Sequence, residues 1–187
     1  YLMDDPISAL DARLREETRV ALRRMQQDMA KTLIYVTHDQ EEAMSVSDQM
    51  LILEEGRVRQ LGAPHHLYDQ PNSAYVGTML GAPAMNMADA ADAQNVLHQP
   101  PDLRLGTQTI GIRPEHLRVT QTDGPGRVAA IEPLGASTVL SIEAAGLSWK
   151  AALLGQPQFA VGAPVQLSVD HARLHCFDAN GSAIAAA

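Results

Sequence analysis

Short apolar runs alternate with amphipathic stretches in the first part of the chain. Residues 1–3 form an apolar run that ends in two adjacent acids, and residues 33–37 (LIYVT) form a second, β-branched run. Continuous runs of this kind predict parallel strands buried on both faces. Between them, residues 12–31 repeat apolar side chains at the spacing of one helical face. These are Leu14, Ala21, Leu22, Met25 and Met29, whereas Arg15, Glu16, Arg19 and Arg23 fall off this face.

A second helix and a hairpin are predicted next. Asp39 and Glu42 stand at capping-box spacing at the head of a helix over residues 40–46. The sequence Glu-Glu-Gly at 54–56 separates two apolar runs, which predicts a tight hairpin with a positive φ at the glycine. The hairpin strands are predicted at 50–53 and 57–61, and further short helices at 64–69 and 71–80. The alternation of strands and helices favours an α/β layer structure.

The pattern of apolar and polar residues changes in the second half of the chain. Residues 85–94 lack clear periodicity, and we interpret them as a crossover with a weak strand at 85–87. After Gln99, short alternating segments are broken by Gly, Pro and Asp, which predicts a small all-β barrel. Its strands are expected at 109–113, 117–120, 127–132, 138–143, 147–152, 164–170 and 173–177. We therefore predict two domains, residues 1–82 and residues 83–187.

Composition and charge narrow the possible functions. The 187-residue chain has a formal net charge of −8, and neither domain is basic: 8 basic against 13 acidic residues in 1–82 and 6 against 9 in 83–187. This argues against a nucleic-acid partner. No run approaches the ~18 apolar residues of a membrane span, so membrane association is expected only through a partner. The single cysteine, Cys176, excludes an intrachain disulfide and favours a reducing compartment.

The candidate chemistry lies where the two predicted parallel strands end. Asp4 and Asp5 end the first strand, and His38 follows the second. Because carboxyl ends of parallel strands meet at one sheet edge, where ligands bind, these side chains are expected near one another. Ser8 and Asp11 stand at capping-box spacing before the first helix. Taken alone, the acid pair is better explained by solvated turn residues before a proline.

Taken together, these motifs resemble the C-terminal half of an ABC transporter ATPase. The carriers of the resemblance are the apolar strand ending in two acids, the stretch SALD at 8–11, and the strand ending in Thr-His-Asp at 37–39. The stretches IGIRPEHL and LHCFDANGSAI resemble the regulatory domain of maltose and sugar-phosphate importers. The fold implied is an α/β P-loop NTPase-type half domain followed by an all-β OB-like (TOBE) barrel.

The resemblance also implies roles for individual residues. Asp4 is expected to be the Walker B aspartate that holds Mg²⁺, Asp5 the catalytic acid, and His38 the switch histidine that touches the γ-phosphate of ATP. Ser8 and Asp11 would belong to the D-loop and contribute to nucleotide binding. Asp5 departs from the family, which has glutamate there, and its shorter side chain implies slow turnover, an adjusted site, or nucleotide binding with little hydrolysis.

The resemblance further implies an ATPase that drives solute uptake, with a sugar, polyol or sugar phosphate as solute. Its partners would be a second ATPase subunit, often in a homodimer, transmembrane permease subunits and, indirectly, a solute-binding protein. It would act on the cytoplasmic side of the bacterial inner membrane. No GxxxxGK[ST] stretch, LSGGQ-like signature or Gln loop occurs in the 187 residues. We therefore expect a fragment that is inactive alone, with those motifs upstream of Tyr1.

Two other functions remain open at this stage. One is a non-catalytic regulatory or small-molecule-binding module whose recognition site lies in the barrel. The other is a metal phosphohydrolase that uses Asp4, Asp5, His38 and Asp39. Such sites usually need further histidines at the same edge, and the sequence predicts none there.

Overall fold

Strands predominate over helices in the computed structural model, which describes residues 1–29, 31–99 and 102–185. Contacts divide the chain into two units, Tyr1–Pro71 and Asn72–Ala187. This division falls before the boundary expected at residue 82, and it groups the helix at Ala74–Met79 with the second unit. No helix in the part of the chain that the structure describes is long and apolar enough to cross a membrane.

The first unit begins with two parallel strands joined by a helix. Strand β1 (Leu2–Asp4) pairs in parallel with β2 (Ile34–Val36), and helix α1 (Ala12–Met29) connects them. The predicted parallel pair is confirmed, but its burial on both faces is not: Leu2, Ile34 and Val36 are exposed. A continuous apolar run predicts burial on both faces, whereas this two-stranded sheet leaves one of its faces exposed.

The rest of the first unit contains α2 (Gln40–Val46), β3 (Met50–Glu54), β4 (Arg57–Gly62) and α3 (Pro64–Asp69). The predicted hairpin is confirmed, since β3 and β4 pair antiparallel. Glu55 and Gly56 have φ values of 49° and 74°. Two successive positive φ values match the right-handed twist of the flanking strands. The hairpin is a separate two-stranded sheet and does not extend the β1–β2 pair.

Helix α1 packs through its arginines. None of its residues is buried, and Leu14, Met25 and Met29 of the predicted core face are exposed. Arg15, Arg19 and Arg23, which were expected off the packed face, instead reach α2 and residues on either side of it. The partners of these three arginines are Asp39, Glu41, Glu42, Val46 and Asp48. The prediction of the packed face was wrong because helical periodicity groups side chains without specifying the neighbouring element.

The second unit is built mostly from antiparallel strands around one core, which confirms the β-rich part of the predicted fold. Its elements are α4 (Ala74–Met79), β5 (Asn86–Asp89), α5 (Ala90–Val96), β6 (Thr109–Ile112), β7 (Leu117–Pro133), β8 (Ser137–Ala144), β9 (Leu147–Leu154), β10 (Pro164–Val169) and β11 (Leu174–Phe177). The strand orders are β10-β7-β8-β9 and β11-β6-β5. Side chains of both sheets, including Ile110, Leu140 and Trp149, share one apolar cluster.

Two elements of the second unit differ from the sequence predictions. The strands expected at 117–120 and 127–132 are parts of one strand, β7, which pairs with β10 and β8 and has an irregularity in each pairing. Helix α5 was missed, because its stretch AADAQNV has too few large apolar side chains to show a period. Ala93 and Val96 bury it against the core. The weak strand predicted at 85–87 corresponds to β5.

A buried arginine ties the IGIRPEHL stretch to α4. Arg113 is only 1% exposed. One guanidinium nitrogen donates to the Gly77 carbonyl at 2.9 Å and also to the Leu80 carbonyl. Carbonyls in the last turn of a helix lack partners within the helix, so a cation there satisfies them and opposes the helix dipole. The arginine of this motif therefore stabilises the end of a helix.

Candidate functional site

The carboxyl ends of β1 and β2 bring three chemically active side chains to one edge. Asp5 follows β1, whereas Thr37 and His38 follow β2. The parallel register pairs Asp4 with Val36, so the residues after these two leave the sheet side by side. His38 Nδ1 lies 3.0 Å from Asp5 Oδ2, and Thr37 Oγ1 lies 3.4 Å from Asp5 Oδ1.

Asp5 has an uncommon backbone conformation that directs its side chain toward this edge. Its φ is 47°, in the left-handed region that residues other than glycine rarely adopt. Its N–H donates to the Val36 carbonyl at 2.7 Å, which continues the β1–β2 ladder past Asp4. Such strain costs on the order of 1–3 kcal/mol and clusters at functional sites. The bend places the Asp5 carboxylate beside His38.

Asp4 differs from Asp5 in its surroundings. Its side chain is exposed, and within the described residues it has no hydrogen bond or ion pair. Those residues also contain no group of three or more His, Cys, Asp or Glu side chains that could hold a metal ion. Mg²⁺ is usually bound by one or two carboxylates together with substrate phosphates and water. The donor set therefore fits an ion held jointly with phosphates, but not one held by the protein alone.

Ser8 and Asp11 do not form the predicted capping box. Asp11 is itself the cap, since its Oδ1 accepts from Leu14 N–H at 2.9 Å. Ser8 lies before the helix, and its hydroxyl donates to the Asp5 carbonyl at 3.0 Å. The prediction was wrong by three positions, because Ser and Asp are equally good cap residues and the spacing does not choose between them. The result connects Ser8 to Asp5.

His38 is accessible and Asp5 is partly so. The side chain of His38 is 78% exposed and that of Asp5 is 37% exposed. An exposed imidazole held by a carboxylate through Nδ1 presents its other nitrogen to solvent, where it can donate to or accept from a ligand. The geometry is thus suited to contact a phosphate oxygen or a water molecule.

Sequence reasoning missed the buried acid behind this edge. Glu42 is 1% exposed. Its Oε2 accepts from the hydroxyls of Tyr35 at 3.0 Å and Thr37 at 2.9 Å. The spacing from Asp39 to Glu42 predicts a capping box and gives no sign of burial, and only half of that box forms. Asp39 Oδ1 accepts from Glu42 N–H at 3.1 Å, whereas Asp39 N–H donates to Thr37 Oγ1.

The phenol of Tyr35 is affected by the same acid. Burial, and then the hydrogen bond to Glu42, raise the pKa of Tyr35 well above its usual value of about 10.0. Ionising this phenol would place a second negative charge beside a buried carboxylate. The folded state therefore keeps the proton at pH values where the unfolded chain releases it.

This difference predicts a loss of stability at high pH. Because the pKa of Tyr35 is higher in the folded state, its contribution is complete below the usual pKa of about 10.0 and declines as the pH rises above it. Between pH about 8.5 and pH about 10.5, the melting temperature should fall less for Tyr35→Phe than for the parent. Tyr1→Phe serves as control, since Tyr1 is 69% exposed, and it should keep the parental slope. Equal slopes for the parent and Tyr35→Phe would contradict the expectation.

Comparison with known proteins shows what the chain is similar to. Residues 110–177 match the TOBE domain family. The chain is 38% identical to the sn-glycerol-3-phosphate import ATP-binding protein UgpC of Rhizobium meliloti, over 97% of this chain and 55% of that protein. It is 36% identical to the alpha-glucoside transport ATP-binding protein AglK of the same organism, over 97% of this chain and 56% of that protein.

A third relative is an uncharacterised ABC transporter ATP-binding protein, y4oS, of Sinorhizobium fredii, which is 35% identical over 98% of this chain and 53% of that protein. These matches confirm the resemblance. The chain is thus similar along almost its whole length to the C-terminal portion of ABC transporter ATP-binding subunits, and the stretch that matches the TOBE domain lies in its second unit. It spans about half the length of the curated relatives it matches.

Proposed function

We propose that this chain is the C-terminal part of an ATP-hydrolysing subunit of an ABC importer. The observation that carries the proposal is the contact of Asp5 with His38 at 3.0 Å, at the common edge of two parallel strands. That edge is where an α/β sheet binds ligands. The first unit would then be half of a P-loop NTPase-type domain, completed by further strands.

Each residue at the edge has a role under this proposal. Asp4, which is exposed and has no side-chain partner among the described residues, would hold Mg²⁺, and the bound ion would neutralise charge on the β- and γ-phosphates. Asp5 would orient the attacking water through its carboxylate. His38 would donate from its exposed ring to the γ-phosphate. Ser8 would hold the turn after Asp5 through the Asp5 carbonyl, and Asp11 would position the D-loop segment by capping α1.

The names of the relatives, which describe import and transport ATP-binding proteins, support a proposal about partners and location. A subunit that energises import acts with a second ATPase subunit and with transmembrane permease subunits, on the cytoplasmic side of the bacterial inner membrane. UgpC is named for sn-glycerol-3-phosphate and AglK for alpha-glucosides. We therefore propose a sugar, a polyol or a sugar phosphate as the solute, delivered by a solute-binding protein.

Substitutions of Asp5 test the catalytic assignment. In an assembly that combines these residues with a phosphate-binding loop and a permease, Asp5→Glu is expected to raise kcat several-fold. The Asp5 carboxylate lies beside His38, and an added methylene extends its reach toward the water. Asp5→Asn keeps the size of the side chain but removes the carboxylate that orients the water and accepts its proton, so kcat should fall by about 10², the lower end of what a positioned base contributes.

The measurement is kcat for the three proteins at saturating Mg-ATP. Equal rates for Asp, Glu and Asn at position 5 would remove Asp5 from the mechanism. The 187-residue chain by itself serves as the negative control, since its sequence has no glycine-rich phosphate cradle. Tight ATP binding with turnover by this chain alone would contradict the proposed division of the site.

A further inference from the structure

Glu42 has the environment of a functional acid, although no role assigned above uses it. Its carboxylate is 1% exposed. Removing a carboxylate from water is unfavourable unless hydrogen bonds or a countercharge compensate. Two hydroxyls donate to its Oε2, and Arg15 Nε approaches its Oε1 at 3.9 Å. The acid is thus held from both strand β2 and helix α1.

The hydroxyl of Thr37 has two possible acceptors and one hydrogen. Its Oγ1 lies 2.9 Å from Glu42 Oε2 and 3.4 Å from Asp5 Oδ1, and it also accepts from Asp39 N–H. A threonine hydroxyl can donate only once. The shorter distance assigns the hydrogen to Glu42. Thr37 then donates no hydrogen bond to the Asp5 carboxylate, which contacts His38 and solvent.

Arg15 connects Glu42 with the segment that follows Asp5. Its guanidinium donates to the Leu10 carbonyl at 3.0 Å and lies 3.7 Å from Asp39 Oδ2. Its Nε is buried and has no hydrogen-bond partner within the described residues, and Glu42 Oε1 is the acid that it faces. One arginine therefore ties the turn at residues 8–11 to the start of α2.

We propose that Glu42 is a positioning residue for the Asp5–His38 edge. By holding the Thr37 hydrogen, it prevents Thr37 from drawing the Asp5 carboxylate away from His38. The inference rests on the proposed function for its kinetic consequence. A neutral acceptor at position 42 binds the Thr37 hydrogen less strongly than a carboxylate does, so the hydrogen would pass to Asp5, which is still charged.

The kinetic test uses Glu42→Gln in the ATPase assembly described above. We expect kcat to fall by on the order of 10-fold with little change in KM, because substrate binding is not what Glu42 controls. Glu41→Gln is the matched control: Glu41 is the preceding residue of the same helix, its side chain is 79% exposed, and it pairs with Arg19 on the surface. It should leave kcat at the parental level.

A second substitution separates positioning from simple stabilisation. Thr37→Val removes the hydrogen, so the Glu42→Gln/Thr37→Val double variant should turn over faster than Glu42→Gln alone. Thr37→Ser keeps the hydroxyl and should not suppress the Glu42→Gln defect. If Glu42 only stabilised the fold, the two substitutions would add, and the double variant would be the worst. Additive losses, or a Glu42→Gln protein that does not fold and is not recovered by Thr37→Val, overturn the proposal.

Histidine ring signals in NMR spectra of the 187-residue chain test the geometry without turnover. The chain has 7 histidines, and His38→Gln identifies the signal of His38. Glu42→Gln should shift that signal, Glu41→Gln should not, and adding Thr37→Val should return it toward the parental position. If the parental assembly hydrolyses no ATP, the proposed function fails, and these spectra alone decide the role of Glu42. An unchanged His38 signal in Glu42→Gln overturns the proposal that Glu42 positions the Asp5–His38 edge.

Discussion

Asp4→Asn is expected to abolish Mg²⁺-dependent ATP hydrolysis in an assembly that contains these residues. The Asp4 carboxylate is exposed at the end of β1 and has no hydrogen bond or ion pair within the residues that the structure describes, so it is available to bind a cation. An amide of the same size is a much weaker ligand for Mg²⁺. Metal ions contribute several kcal/mol to such transition states, and ~1.4 kcal/mol corresponds to tenfold, so kcat should fall by about 10³.

Because the Asp4 side chain is exposed, its effect on turnover can be separated from an effect on stability. Because the Asp4 side chain makes no hydrogen bond or ion pair with any described residue, the melting temperature of Asp4→Asn should stay at the parental value while turnover is lost. Asp28→Asn provides a control, since Asp28 is an exposed aspartate near the C-terminal end of α1. Parental turnover by Asp4→Asn at every Mg²⁺ concentration would remove Asp4 from the metal site.

His38→Ala is expected to lower kcat by about 10², the lower end of what a positioned proton donor or acceptor contributes. Its ring is 78% exposed and contacts the Asp5 carboxylate, so removing it takes away the group that faces the ligand and leaves the core intact. Binding of Mg-ATP should be retained, because metal and phosphate contacts elsewhere hold the nucleotide. Single-turnover hydrolysis and equilibrium binding, measured on one preparation, separate the two effects.

The control for this variant is His65→Ala, since His65 is also an exposed histidine of the first unit. It should keep both turnover and binding. If His38→Ala turned over ATP at the parental rate, the switch assignment would be wrong. If it lost binding to the same extent as turnover, His38 would hold nucleotide in the ground state without a specific role in the transition state.

Much of the local structure could be predicted from pattern alone. The β1–β2 parallel pair, the hairpin at Glu55 and Gly56, and most strands of the second unit follow from apolar runs punctuated by turn residues. These signals are local, because side-chain alternation and positive φ depend only on near neighbours. Helix α5 was missed because it lacks such a local signal. Its own sequence has little apolar periodicity, and the burial of Ala93 and Val96 depends on strands that are distant in the sequence.

By itself the sequence determined which residues end the two parallel strands, and therefore that Asp5 and His38 would lie close together. Strand direction alone brings such ends to one edge. Only the tertiary structure decided that α1 packs through its arginines, that Asp11 rather than Ser8 caps it, and that Glu42 accepts from Tyr35 and Thr37. Periodicity and spacing state which side chains could share a face or a cap. Several hydrogen-bond arrangements satisfy the same spacing, and the elements packed against each segment select one of them.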